Sequence, residues 1–153
     1  MGDVDGAPGF ELGTDGPRVI LVGVDGSHTS LRAGAYAAGL ARRQGARLVV
    51  VHVAATPTMS LLAPDRPWPL EETLAAVSDD LRRQVAAGAA YAGVAAEFVA
   101  LRGDPFGELS RVAGELRADA VVVGASVQAG HRLMGSLAVR LVRAGRWPVT
   151  VVP

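Results

Sequence analysis

Between Gly124 and Ser136 the chain carries residue types that can hold an anion without a lysine. Val121, Val122 and Val123 form an apolar run with no alternation, the habit of a strand buried on both faces. Gly124 ends the run. Small, polar and glycine residues follow, Gly130 among them, and Gly135-Ser136 then opens a helix that includes Leu137. Free backbone N–H groups and the positive end of a helix dipole favour a phosphate at such a junction. The two standard glycine fingerprints are absent: there is no G-x-G-x-x-G, and no lysine for a P-loop. His131 and Arg132 lie inside the stretch, and the planar fork of an arginine suits paired bonds to phosphate oxygens. The plainer reading makes both of them solvated loop residues, and Gly135-Ser136 a helix start and nothing more.

Asp25-Gly26-Ser27 is the second cluster, at the end of the apolar run Arg18 to Val24. A carboxylate at a strand end can accept hydrogen bonds from ligand hydroxyls, or it can cap its own turn. Asp25 and Asp104 are a carboxylate pair at strand ends that suits Mg²⁺ on a nucleotide. His28, His52 and His131 fall at one edge of the expected sheet, and three imidazoles can bind zinc. His52 alternates with valines, however, and reads first as a structural histidine. Arg102-Gly103-Asp104 reads as a strand end followed by a helix cap, not as an adhesion signal. Met59, Leu61, Leu62 and Trp68 either pack locally or cover a nucleotide base.

These residues need a frame, and the periodicity supplies one. Met1 to Pro17, rich in Gly, Asp and Pro, reads as a flexible N-terminal tail (1–17) ahead of one domain (18–153). Thr29 or Ser30 is expected to cap a helix running to Gln44, stopped by Gly45 and packed through Ala35, Ala38 and Ala41. Arg47 to Val53 is the second strand, and Ala54 to Trp68 a long loop. Pro69 opens a second helix whose stripe is Leu70, Leu74, Val77, Leu81 and Val85. Ala96 to Leu101 is a strand. Asp104-Pro105 starts a helix with Leu109, Val112 and Leu116 inward. Asp119 to Val123 is the fourth strand; a last helix follows, stopped by Gly145, and Pro148 to Val152 is the fifth. The alternation predicts an α/β fold: a single five-stranded, doubly wound parallel sheet with helices on both faces. Ligands of such sheets bind at the carboxyl ends of the strands.

Composition narrows the function. The net charge is zero, which gives no support to nucleic-acid binding. There is no Cys, which removes disulfides and thiolate metal sites. No apolar run reaches membrane-span length, and the expectation is a cytoplasmic protein without membrane contact. Every basic residue is arginine, so mechanisms that need lysine, those of P-loop ATPases and receiver domains, are excluded. No G-x-S-x-G nucleophile elbow occurs, and nothing marks a general base, so turnover is expected to be slow ATP hydrolysis at most.

Five motifs in order, VGVDGS, LVVVHV, LRGDPFGEL, ADAVVVGAS and GSLAVRLVRAGRWPVTVVP, resemble the universal stress protein family over Arg18 to Pro153. The resemblance implies a dimer through the last strand and binding of ATP or AMP by a regulatory protein. Asp25 matches the family aspartate near adenine or ribose, and Val53 the residue whose backbone meets adenine. Gly124, Gly135 and Ser136 match parts of the phosphate-loop pattern G-x2-G-x9-G-[ST]. Val127 stands where the pattern has its second glycine, and Gly135 comes two residues early. That departure supports the alternative of an interaction module that has lost its nucleotide.

Overall fold

The structure is a computed structural model that describes residues 16–55, 70–128, 131–133 and 135–153. Its elements in chain order are β1 (Val19–Gly23), α1 (His28–Gln44), β2 (Arg47–Ala54), α2 (Leu70–Ala92), β3 (Ala96–Arg102), α3 (Pro105–Glu115), β4 (Ala120–Gly124), β5 (Ser126–Gln128), β6 (His131–Leu133), α4 (Ser136–Ala144) and β7 (Val149–Val152). Five strands form one sheet in the order β3-β2-β1-β4-β7. Every pairing in it is parallel, as the alternation predicts.

Both faces of the sheet are covered. Ile20, Val22, Leu48, Val50 and Val122 pack with Ala33, Ala37, Ala38 and Ala41 of α1 on one face. Leu21, Val49, Val51, Val121 and Val123 pack with Leu109, Val112 and Ala113 of α3 and Ala138 and Leu141 of α4 on the other. The alanine surface of α1 lets the helix lie close to the strands. It is rotated from the expected one: Ala33 and Ala37 are buried, and Ala35 is exposed. The steps of four from Ala33 to Ala37 to Ala41 keep one face, which Ala35 leaves. On α2, Leu81 is buried and Val85 packs on the core, but Val77 faces outward.

Termini follow local chemistry. Ser27, not Thr29 or Ser30, caps α1 by accepting the Ser30 N–H, and Gly45 ends the helix at φ 64°. Asp104 caps α3 through the Gly107 N–H, with Pro105 in the first turn. Asp119 precedes β4 and accepts the N–H groups of Arg18 and Val19, tying the starts of β1 and β4 together.

The stretch from Gly124 to Ser136, expected to be a loop, contains a hairpin. Ser126, Val127 and Gln128 pair antiparallel with Leu133, Arg132 and His131. Val127 explains the change: a β-branched residue favours extended backbone where glycine would allow a wrapped one. Gly130 lies outside the described residues, as do the tail 1–15 and the loop residues 56–69 with Met59, Leu61, Leu62 and Trp68. Among the described residues no helix is long and apolar enough to cross a membrane.

Candidate functional site

The strand order reverses between β1 and β4. Their chains leave to opposite faces, β1 into α1 and β4 through the hairpin into α4. A cleft of about 630 Å³ opens at their carboxyl ends, where such folds bind ligands. Seven of the expected nucleotide-binding residues line it: Asp25, Ser27, Val53, Gly124, Gly135, Ser136 and Leu137. Gly26 does not. Its φ of 86° is one that glycine adopts freely, and a Cβ there would lie 3.8 Å from Leu81 of α2. Gly130 is outside the described residues. The backbone of His131 and Arg132 belongs to β6, and their side chains are not described.

Asp25 is held in place by its own turn. Its Oδ1 accepts the Ser27 N–H at 2.9 Å, and its N–H donates to Ser30 Oγ at 3.2 Å. Crowding by the cleft wall pushes the carboxyl up. Hydrogen bonds from Ser27 and Ser30 outweigh that effect and hold it below the ordinary value of 3.8. The turn-capping reading of Asp25 is therefore correct, and Asp25 is also one of the residues that line the cleft.

Gly124 is a contact glycine. A Cβ there would lie 2.5 Å from the Thr29 carbonyl carbon and 2.6 Å from the Ser30 nitrogen. Its missing side chain lets the first turn of α1 sit against the end of β4. Gly135 does the same against the Ser126 side chain, at 2.8 Å. Gly135 also occupies the N-cap of α4, where no side chain caps the helix. The first turns of α1 and α4 contain no acidic residue, whereas α2 carries Glu71 and Glu72 and α3 carries Glu108. Of the helices whose first turns border the cleft, α1 and α4 thus leave their positive ends without a carboxylate, whereas α3, which borders it through Pro105, carries Glu108.

Among the described residues the two metal arrangements are not brought together. Asp104 is committed to capping α3 and to Arg140, 3.3 Å away, and it does not line the cleft with Asp25. His52 is buried on the opposite face of the sheet, and only His28 of the described histidine side chains lines the cleft. Among the described residues no three His, Asp or Glu side chains could share a metal ion. Arg102 makes a two-pronged pair with Glu71, at 2.6 Å for each bond, which explains the first member of the Arg-Gly-Asp triplet.

Thr29 and Ser30, expected from the sequence only as helix caps, and Ser126 also line the cleft, and none of the three was read as a site residue. The signal for Ser30 was its spacing of three from Ser27, a cap-box distance. Ser126 has no such signal; only the fold brings it to Gly135.

The model of the universal stress protein family matches residues 17–153. A universal stress protein of Methanocaldococcus jannaschii is 29% identical over 138 residues, covering 88% of this chain and 81% of that one. A solved structure from the same family in Burkholderia pseudomallei is 29% identical with a TM-score of 0.66, over 88% of this chain and 95% of that one. A universal stress protein solved in complex with cAMP is 27% identical with a TM-score of 0.65, over 89% and 96% of the two chains.

Proposed function

For a chain that belongs to the universal stress protein family, with an open cleft at its strand-order reversal, we propose adenine-nucleotide binding as the function, in the service of regulation rather than turnover. The observation that carries the reading is the α4 N-terminus, uncapped by any side chain and free of carboxylates, lining the same cleft as Asp25. The first can take a phosphate on the N–H groups of Ser136 and Leu137. The second can accept a ribose or adenine donor, and its lowered pKa keeps it ionised at neutral pH. The 27% identical relative solved with cAMP supports the ligand class.

Among the described lining residues there is no arginine. Backbone donors alone suit a nucleotide with one phosphate, such as AMP, better than ATP. ATP would draw on Mg²⁺, or on His131 and Arg132 of the hairpin, to offset its greater charge. A homodimer through β7, at the edge of the sheet, completes the proposal.

Calorimetric titration with cAMP, AMP and ATP, the last with and without Mg²⁺, tests the reading. Saturable heat with at least one nucleotide, reduced in Asp25→Ala, is the expected result. No heat and no thermal shift with any of them sinks it. The second reading, an interaction module without nucleotide, then stands. The β5–β6 hairpin favours that second reading, because its strands spend backbone groups on each other that a phosphate loop would offer to a ligand.

A further inference from the structure

His52 is 6% exposed and lies on β2 with its ring on the α1–α2 face of the sheet, away from the cleft that Val51 and Val53 line. Its Nδ1 is 2.9 Å from the Val24 carbonyl oxygen. The register of β1 against β2 places Val24 directly opposite His52, one step beyond the Gly23–Val51 pair. The Val24 N–H still donates to the Val51 carbonyl at 2.9 Å. In a parallel ladder the next rung would bring the Val53 N–H to the Val24 oxygen. That rung does not form, because β1 ends at Gly23. The imidazole takes the carbonyl instead, as an Nδ1–H donor.

The Val24 carbonyl and the Asp25 N–H belong to one peptide plane. His52 holds the plane from β2, and Ser30 Oγ holds it from α1, where it accepts the Asp25 N–H at 3.2 Å. A plane gripped at both ends cannot swivel, and its orientation fixes the direction in which the Asp25 side chain leaves the backbone. Around the ring, Leu74, Ala75 and Ser78 of α2 and Ala100, Leu101 and Arg102 of β3 border a hollow of about 220 Å³. No carboxylate of the described residues lines that hollow; its polar side chains besides His52 are Ser78 and Arg102. We infer that His52 is a positioning residue of the cleft: its imidazole replaces the missing rung, releases β1 from the sheet and aims Asp25 at the ligand.

The nucleotide half of this inference rests on the binding reading above; the backbone half does not. Two substitutions separate the donor from mere bulk. His52→Asn puts an amide N–H near the place of Nδ1, and His52→Gln puts one near Nε2, off the Val24 oxygen. Two readouts are taken on each: amide hydrogen exchange of Asp25 and Ser27 relative to Val49 in the core, and cAMP affinity by calorimetry. In His52→Gln the Asp25 amide exchanges at least ~10-fold faster relative to Val49, and cAMP binds ~10-fold more weakly, the scale of one lost hydrogen bond. In His52→Asn both return to within about threefold of the parent chain, as expected where a donor is restored. Exchange at Asp25 that moves only in step with Val49 in the Gln variant overturns the inference. So does an Asn variant no better than Gln. If the parent chain binds none of cAMP, AMP and ATP, the binding reading fails, and the exchange comparison alone decides the role of His52; if it binds AMP or ATP but not cAMP, that nucleotide replaces cAMP in the affinity readout.

Discussion

Asp25 accepts the Ser27 N–H of its own turn, and the ligand role proposed for the same carboxylate separates from that one by pH and by substitution. Removing it in Asp25→Ala is expected to cost about 1–3 kcal/mol of nucleotide affinity, the range for a hydrogen bond to a charged group; calorimetry measures it. Its structural job follows linkage. The folded-state pKa is lowered below the ordinary 3.8. Its contribution to stability is therefore fully present above that ordinary value and is lost as pH falls through the lowered one. The thermal midpoint of the parent chain should exceed that of Asp25→Asn at pH 7, and the gap should close on acidification into that range. A gap that stays constant down to acid unfolding refutes it. The Asp-Gly-Ser order announces a turn, because each of these residues has a local reason to be in one. What it could not announce is that Gly26 lies beside α2 while its neighbours line the cleft, since that depends on where Leu81 lands. His52 read as structural because it alternates with valines, and the structure agrees. Its partner, a carbonyl 28 residues away, is a fact of register.

At the scale of elements, two glycines set how close helices come to strand ends. Gly124→Ala forces a methyl into backbone atoms of Thr29 and Ser30 that cannot rotate away. The expected loss is about 1–3 kcal/mol, the usual cost of overpacking, read as a lowered urea midpoint with an unchanged slope. Helix α4 gives a prediction of opposite signs. Ser136→Glu adds a carboxylate to a bare first turn and should raise stability by about 0.3–1 kcal/mol. The same charge stands where a phosphate would sit, so cAMP affinity should fall while adenosine affinity holds. Parallel losses for the two ligands would remove the α4 terminus from the phosphate site. The valine runs, the capping residues Asp104 and Gly145 and the order of elements were legible in the sequence, because each is a local signal. The hairpin was not. Three residues on each side are too few to show a period, and Val127 was informative only as a departure from a glycine pattern.

For the whole molecule the open edge is β7. Val121 N–H donates to the Pro148 carbonyl and Ala125 N–H to the Val152 carbonyl. Residues 148 and 152 therefore turn their backbone groups toward β4, and by alternation Val149 and Val151 turn theirs outward. Val151→Pro removes an outward N–H without touching the ladder to β4. Light scattering at micromolar concentration should report twice the 15.7 kDa chain mass for the parent and a single chain for this variant, with matching circular dichroism. A monomeric parent ends the dimer proposal. One consequence of the parallel sheet then follows for that dimer. Five strands running one way give the sheet a head and a foot. A two-fold axis that joins a strand to its own copy by backbone bonds has to reverse its direction, because only antiparallel pairing is self-complementary. The two clefts therefore point to opposite poles of the assembly and never see each other. Whatever one occupant tells the other must be spoken through β4 and β7, the two strands that lie between each cleft and the seam.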